Sequence, residues 1–361
     1  MHLALLALAI LSQENPKPVV LKGAQVVTLA AGDLENGTIV IEGGKIRRVG
    51  TDVEVPAGAD VIELPKGSQV IPGFIDLHSH LGSAFEIEES TEASTPLVKA
   101  VEAFTSRHPD VQSALGSGVT SVALAPGNGN VVGGRVGVVK LNGARYDRAL
   151  YRDSVALKVS LGGEALRRDR EPTSHAGALR LLRGLLKDPP AEVRGLPLFV
   201  HANTPGEIES ALDLAAMFKV PLVLLHAREA IRPAVSRLAG ITVAFGPLTP
   251  NDPRDLLEAP AGLARAGARL AFVSDAPLTS EEQLRVTAAF AVKYGLDRQE
   301  ALRALTVTPA AALGLSKEVG TIEAGKDADL VVWSGDPLSL ASSVELVIVN
   351  GSIVYRKQEK P

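Results

Sequence analysis

The sequence predicts an α/β chain: an eight-stranded (β/α)8 barrel, with a small β domain contributed by both ends. Two observations carry this. Short Val- and Ile-rich runs broken by Gly, Pro, Asn and Asp occupy both ends of the chain. Between them, apolar strand-like runs alternate with polar loops, most of them followed by helical patterns. Eight such runs fit between residues 71 and 317, close to the ~250 residues typical of a (β/α)8 barrel. A doubly wound open sheet would alternate in the same way, so the count alone leaves both open.

The first element is a leader. Leu3 to Leu11 is an apolar run followed by the polar "SQENPKP". It is shorter than the ~20 residues a membrane-spanning helix needs. Residues 1–17 are therefore expected to be a signal peptide directing export to the periplasm or the exterior. Only the amino terminus and His2 supply positive charge ahead of the run, so a cytoplasmic protein with a short extension is the alternative. Residues 18–70 follow, with "VVLKGAQVVTL", "GTIVIEGGKIRRVG" and "DVIEL" as strands. Residues 318–361 have the same texture and an Asn-Gly turn at Asn350-Gly351. These two segments are expected to meet in one composite β domain, with residues 71–317 forming the barrel. Its strands are "QVIPGFIDL", "GVTSVALA", "RVGVVKL", "SVALKVSL", "LPLFV", "VPLVLL", "ITVAF" and "RLAFV". Helices are expected over "PGEIESALDLAAMF" and "EAIRPAVSRLA". "GNGNVVGG" (Gly127 to Gly134) superficially suggests a dinucleotide fingerprint, but its spacing is wrong and a strand follows it. It reads as a loop lining the site.

Composition narrows the function. The 361 residues are 46% hydrophobic and 22% charged, an ordinary globular balance. A net charge of −4 gives no electrostatic reason to expect nucleic acid or an acidic membrane surface. Aromatics are 4%, too few for base-stacking platforms. Zero cysteines exclude disulfides, thiolate metal sites and a cysteine nucleophile. The expected partner is a small-molecule substrate, with self-association into a homo-oligomer left open.

Catalytic residues of a barrel sit at the C-terminal ends of its strands. His78 and His80 end the first run, separated only by Ser79, so both project from one face. His201 ends "LPLFV", His226 ends "VPLVLL", and Asp275 follows "RLAFV". Four of the seven histidines thus meet a carboxylate on one rim. His2, His108 and His175 lack that context and read as leader, helix-surface and loop residues. Neutral imidazoles and carboxylates suit a divalent ion, most naturally Zn²⁺, with a coordination position left for water. The bound water's pKa falls to about 7. Asp275 is placed to take its proton and return it to a leaving amine.

These residues resemble the amidohydrolase superfamily, and more narrowly its imidazolonepropionase-like members. The resemblance rests on "VIPGFIDLHSHLG", "HANT", "LLHARE", "FVSDAP" and the tail "LTVTPAAALGLSKEVGTIEAGKDADLVVW", and covers nearly the whole chain after the leader. It implies a metal-dependent hydrolase with a (β/α)8 TIM barrel and a composite β-sandwich. His78 and His80 would bind the deeper metal. His201 and His226 would bind a second ion, or position the substrate carbonyl if one ion is present. Asp275 would contact metal and water and act as acid/base. Binuclear members bridge their ions with a carboxylated lysine or a glutamate from strand 3 or 4. Here Glu164 and Lys158 compete for that role, and Glu164 is favoured because it ends its apolar run.

Hydrolysis of a C–N bond in an amide, peptide or cyclic amide is the expected reaction. Deamination of a ring amine is the alternative, since Glu229 stands three residues after His226 and some deaminases use such a pair. Glu229 is equally an ordinary acidic residue in the first turn of a helix. A barrel that kept its ligands and lost turnover is the remaining class. The acidic "EIEES" (Glu86 to Ser90) would favour a cationic substrate if it faces the site, and is a solvated loop if it does not.

Overall fold

A computed structural model describes residues 17–83, 87–143, 149–229 and 235–358. The leader to residue 16, Glu86 of the acidic loop and part of "EAIRPAVSRLA" lie outside the described residues. No described helix is long and apolar enough to cross a membrane.

The first sheet is built from both ends of the chain. Strands β1 (Val19–Val26), β2 (Leu34–Glu42), β3 (Lys45–Gly50), β4 (Asp60–Glu63) and β5 (Gln69–Pro72) come from the N-terminal segment. The middle of the chain supplies β6 (Phe74–Ser79), β7 (Val119–Leu124), β8 (Val132–Lys140), β9 (Leu150–Ser160), β10 (Leu198–Ala202), β11 (Leu222–His226), β12 (Thr242–Phe245) and β13 (Arg269–Phe272). The C-terminal segment adds β14 (Leu330–Trp333), β15 (Val344–Val349) and β16 (Ser352–Arg356). The two ends join where β14 runs antiparallel to β5, Val331 opposite Ile71 and Val332 opposite Val70. The sheet's order is β16-β15-β14-β5-β1-β2-β3, with β4 on β1. Only Gly73 separates β5 from the first barrel strand. A Cβ there would lie 2.1 Å from Thr120 Oγ1, so the close crossing of the two sheets requires glycine.

The second sheet is the barrel, eight strands in the order β13-β12-β11-β10-β9-β8-β7-β6. All eight predicted runs are present, and the alternation resolves to a barrel rather than an open doubly wound sheet. One strand differs from the regular pattern: β8 runs antiparallel to both β7 and β9. The reason is length. Residues 125–131 are too few for a parallel crossover, which takes about a dozen residues or more, so the chain returns as a hairpin. The reversal brings the Gly127–Gly134 loop to the rim that carries the histidines and sends Lys140 to the opposite end.

The helices among the described residues are α1 (Pro109–Gly116), α2 (His175–Lys187), α3 (Pro205–Phe218), α4 (Arg254–Leu257), α5 (Ala259–Arg265), α6 (Glu282–Lys293), α7 (Arg298–Leu305) and α8 (Val307–Ala312). Helix α3 coincides with the predicted segment; Thr204 and Glu207 form its capping box and Pro205 its first residue. In the second predicted helix, the described part is a 3-10 turn, Val235–Leu238. His108 caps α1, and His175 opens α2 instead of lying in a loop.

Alternation along the strands divides the core. Outward residues such as Leu157, Val200 and Phe245 pack with the helices, while Phe199, Val223, Ala244 and Ala271 fill the barrel. β6 and β13 share no regular ladder. His80 N donates to Ala276 O (2.7 Å) and Ser274 N to Asp76 Oδ2 (3.2 Å), so strand ends and a side chain close the barrel.

Candidate metal centre

Local backbone irregularities aim the polar residues. Along β6, Asp76 pairs with Val122 and Ser79 with Leu124, so one extra residue is bulged on β6. The bulge turns His78 inward beside Leu77, leaves Ser79 outside, and returns His80 to the interior. On β10, His201 shares the inward face of Phe199. His226 is different, since its register partner is the outward-facing Phe245. A left-handed backbone at His226 (φ 68°) turns its imidazole over the barrel mouth, and Asp275 (φ 60°) is bent likewise. Left-handed non-glycine residues cost about 1–3 kcal/mol each and persist where the surroundings over-determine them.

The result is a compact cluster. His78 Nδ1 lies 3.2 Å from Asp275 Oδ1, and His226 Nε2 lies 3.4 Å from the same oxygen. Ring centroids are 5.0 Å apart for His78 and His80, 5.6 Å for His78 and His226, and 4.9 Å for His201 and His226. Ligand atoms of His78, His226 and Asp275 all fall within 4.8 Å of one another. His80 and His201 flank this trio. Glu164, in the 3-10 turn Gly163–Ala165, reaches the cluster only through His201, its Oε2 being 3.5 Å from His201 Nε2.

The ring nitrogens are prepared for an ion. His80 Nδ1 is 2.8 Å from Ala125 O and His226 Nδ1 is 2.9 Å from Gly246 O. A carbonyl can only accept, so each Nδ1 carries the proton and each Nε2 presents its lone pair. Nε2 of His78 and of His226 is buried without a hydrogen-bond partner. Two orphaned basic nitrogens beside a carboxylate fit a divalent cation, and their uncompensated burial would otherwise be costly. Burial lowers His226 and His80, and lowers His78 further, so all three favour the neutral, ligating form. Burial alone would raise Asp275, but the His78 hydrogen bond and electrostatic interaction with the polar rings of His226 and His78 draw it down to about 2. It is a carboxylate throughout the neutral range.

Lys158 is wholly buried and faces the barrel interior, in register with Phe199. Its Nζ donates to Asn128 Oδ1 (2.6 Å) and Gly127 O (3.2 Å), so the Gly-rich loop does line the site. Burial lowers this amine to about 8. Interaction with His201 lowers Glu164 to about 2. Glu229 lines a rim cleft with Asn203 and Arg228, and its own backbone N–H donates to Asn203 O (3.2 Å).

Sequence reasoning passed over the support behind the ligands. Asp76 Oδ1 accepts from His78 N (3.0 Å), and Oδ2 accepts from Ser274 N and Oγ. Beside it, Glu281 meets Ser79 Oγ (3.0 Å) and Ser274 Oγ (3.3 Å). Burial pushes Asp76 up to about 7, and burial with the charge of Asp76 pushes Glu281 well above the usual carboxylate range. The signal was present: an aspartate inside the apolar run "FIDL" needs buried partners.

Comparison with known proteins identifies the family. A family profile described as "Amidohydrolase family" matches residues 229–355. An amidohydrolase from Thermotoga maritima is similar in structure, with a TM-score of 0.86 and 32% identity over 94% of this chain and 100% of that one. The imidazolonepropionase of Sphingopyxis alaskensis is 28% identical, covering 88% of this chain and 92% of its own. Amidohydrolase tasK of Hapsidospora irregularis is 25% identical over 88% of this chain, which spans 40% of that protein's length. The chain belongs to the amidohydrolase superfamily as an imidazolonepropionase-like member, a hydrolase acting on carbon–nitrogen bonds.

Proposed function

We propose that this protein is a zinc-dependent hydrolase of an amide, peptide or cyclic amide, with Asp275 as its acid/base. The observation that carries this is the pair of orphaned, buried Nε2 atoms of His78 and His226, two histidines clustered with the Asp275 carboxylate. His78, His80 and Asp275 would hold one ion. Glu164, His201 and His226 would hold a second where a pair is bound, and otherwise His201 and His226 would orient the substrate carbonyl. Glu164 is preferred to Lys158 in this set because the Lys158 amine is engaged by Asn128 and Gly127. When bound, the ion supplies Lewis-acid activation of the scissile carbonyl and of the attacking water.

The chain's own residues do the rest. Asp275 accepts the water's proton at its carboxylate and passes it to the leaving nitrogen. His78, hydrogen-bonded through Nδ1, fixes that carboxylate's orientation. The hydrogen bonds from His80 and His226 to backbone carbonyls hold both rings in the ligating tautomer. A panel of N-acyl amino acids, dipeptides and cyclic amides assayed with Zn²⁺ tests the reading. Chelator-sensitive hydrolysis of at least one class is expected. Release of ammonia from ring amines with no amide cleavage would point to deamination and to Glu229 instead.

We further propose that residues 1–17 are removed on export, on the strength of the apolar run from Leu3 to Leu11. The intact mass of protein from its native host is expected to lack them. A mature chain beginning at Met1 or His2 would make the enzyme cytoplasmic.

A further inference from the structure

The seam between the first and last barrel strands carries the ligands proposed for the first ion. His78 and His80 lie on one side of it and Asp275 on the other, and no regular ladder fixes their separation. What spans it is the His80 N to Ala276 O hydrogen bond and a buried polar network in which two carboxyls, Asp76 and Glu281 (the residue preceding α6), each bridge the two strand ends. Glu281 is 2% exposed, and its two oxygens meet different strands, Oε1 at Ser79 Oγ and Oε2 at Ser274 Oγ. Ser79 stands between His78 and His80, and Ser274 adjoins Asp275.

Counting donors shows how tightly the network is specified. Ser274 Oγ has one proton, and its shortest contact has it donating to Asp76 Oδ2. The same oxygen accepts from Ala276 N (3.0 Å). Its remaining lone pair faces Glu281 Oε2, which can use it only by donating. On the other side, Ser79 Oγ accepts from Leu81 N (3.1 Å) and directs its one proton to Glu281 Oε1 (3.0 Å), the nearer of its two acceptors, Ala276 O being 3.4 Å away. Glu281 is thus a donor to one strand end and an acceptor from the other. A carboxylic acid or a primary amide satisfies both requirements, and an alkyl side chain satisfies neither.

We propose that Glu281 is a positioning residue of the metal centre, setting the spacing of His78 and His80 from Asp275 by pinning Ser79 and Ser274. This rests on the metal-site reading above and adds a role to a residue outside the ligand set. It differs from a purely stabilising role in its target, because the geometry of the ligands should change even where the fold survives.

The test compares full-length wild type, Glu281→Gln, Glu281→Ala and Leu284→Ala. Leu284, fully buried on α6, is the control for lost packing. Three readouts apply: Co²⁺ titration followed by its visible spectrum, melting temperature, and the downfield Nδ1–H resonance of His78 in metal-free, ¹⁵N-histidine-labelled protein. That resonance is identified by its absence from Asp275→Ala. Glu281→Gln is expected to bind Co²⁺ within ~3-fold of wild type, and Glu281→Ala ~10–100-fold more weakly with an altered spectrum at saturation. Leu284→Ala should lose melting temperature without either change. Should Glu281→Ala fail to fold, Ser79→Ala, which removes one of the two grips, carries the same expectation. A folded Glu281→Ala with wild-type affinity, spectrum and His78 resonance overturns the proposal. So does a Glu281→Gln as impaired as the alanine variant. If wild type binds no Co²⁺, the metal reading fails by itself. The seam is then judged by the His78 resonance, which must survive in Glu281→Gln and be lost in Glu281→Ala.

Discussion

Asp275→Asn is expected to lower kcat by ~10²-fold or more while leaving the fold and most of the histidine-bound metal in place. The change is nearly isosteric, and the amide oxygen can still accept from His78 Nδ1, which now bonds Asp275 at 3.2 Å. What is lost is basicity. Asp275 is drawn down to about 2 and is therefore ionised at every pH where the enzyme would work. Asparagine cannot receive the water's proton in that range, nor return one to a leaving nitrogen. Measuring kcat, bound metal and melting temperature together separates this role from a structural one. A folded, metallated Asp275→Asn with near wild-type kcat would falsify the assignment and shift attention to Glu164.

Lys140→Met is expected to cost about 3–5 kcal/mol of stability, with little effect on kcat per folded molecule. Lys140 is 1% exposed, at the barrel end opposite the histidines. Its Nζ lies 2.6 Å from Asp327 Oδ2, 2.8 Å from Asp329 Oδ2 and 2.7 Å from Asn350 Oδ1, and 4.3 Å from the centre of the Tyr151 ring. These contacts tie the reversed strand β8 to the C-terminal part of the other sheet. Among the described residues, Asp327 keeps Lys45 and Tyr151 as side-chain partners when Lys140 is removed, whereas the Asp329 carboxylate retains the Asn350 backbone N–H alone. Burial already raises Asp329 despite the lysine. A carboxyl whose folded-state pKa is raised binds more protons folded than unfolded, so its contribution is present at low pH and lost as pH rises. The stability deficit of Lys140→Met relative to wild type should therefore shrink as pH falls from neutrality toward the usual carboxylate range. Adding Asp329→Asn should recover part of it, a non-additivity that denaturant titration of the four-protein cycle measures. Equal deficits at all pH values, with simple additivity, would contradict this account of the pair.

How much of this the chain announces in its sequence depends on the kind of order involved. Elements set by local patterning are legible: the eight barrel runs, the strand-rich ends that join at β5 and β14, and the helix Pro205–Phe218 with its capping residues. The polar rim is legible too, because a charged or imidazole side chain ending an apolar run is conspicuous. The reversal of β8 was readable from the shortness of residues 125–131, but only if connection length is weighed against strand direction. His226 shows a harder limit. Two-residue alternation places it on the outer face with Phe245, and only its left-handed backbone brings it over the mouth. The buried networks are least legible. Lys140, Asp327 and Asp329, or Asp76, Ser274 and Glu281, are far apart in the chain and share no spacing, so their pairing exists only once the strands are in register.

Elemental analysis of the purified protein decides whether this cluster holds catalytic metal. About one to two equivalents of divalent metal per chain are expected, chiefly zinc, lost to chelator and regained on reconstitution. His78→Ala is expected to lower that content, and His226→Ala to lower it where a second ion is bound, since each removes a buried nitrogen that has no hydrogen-bond partner. Less than ~0.1 equivalent in wild type, with no gain on reconstitution at micromolar zinc, would contradict the metal-site reading.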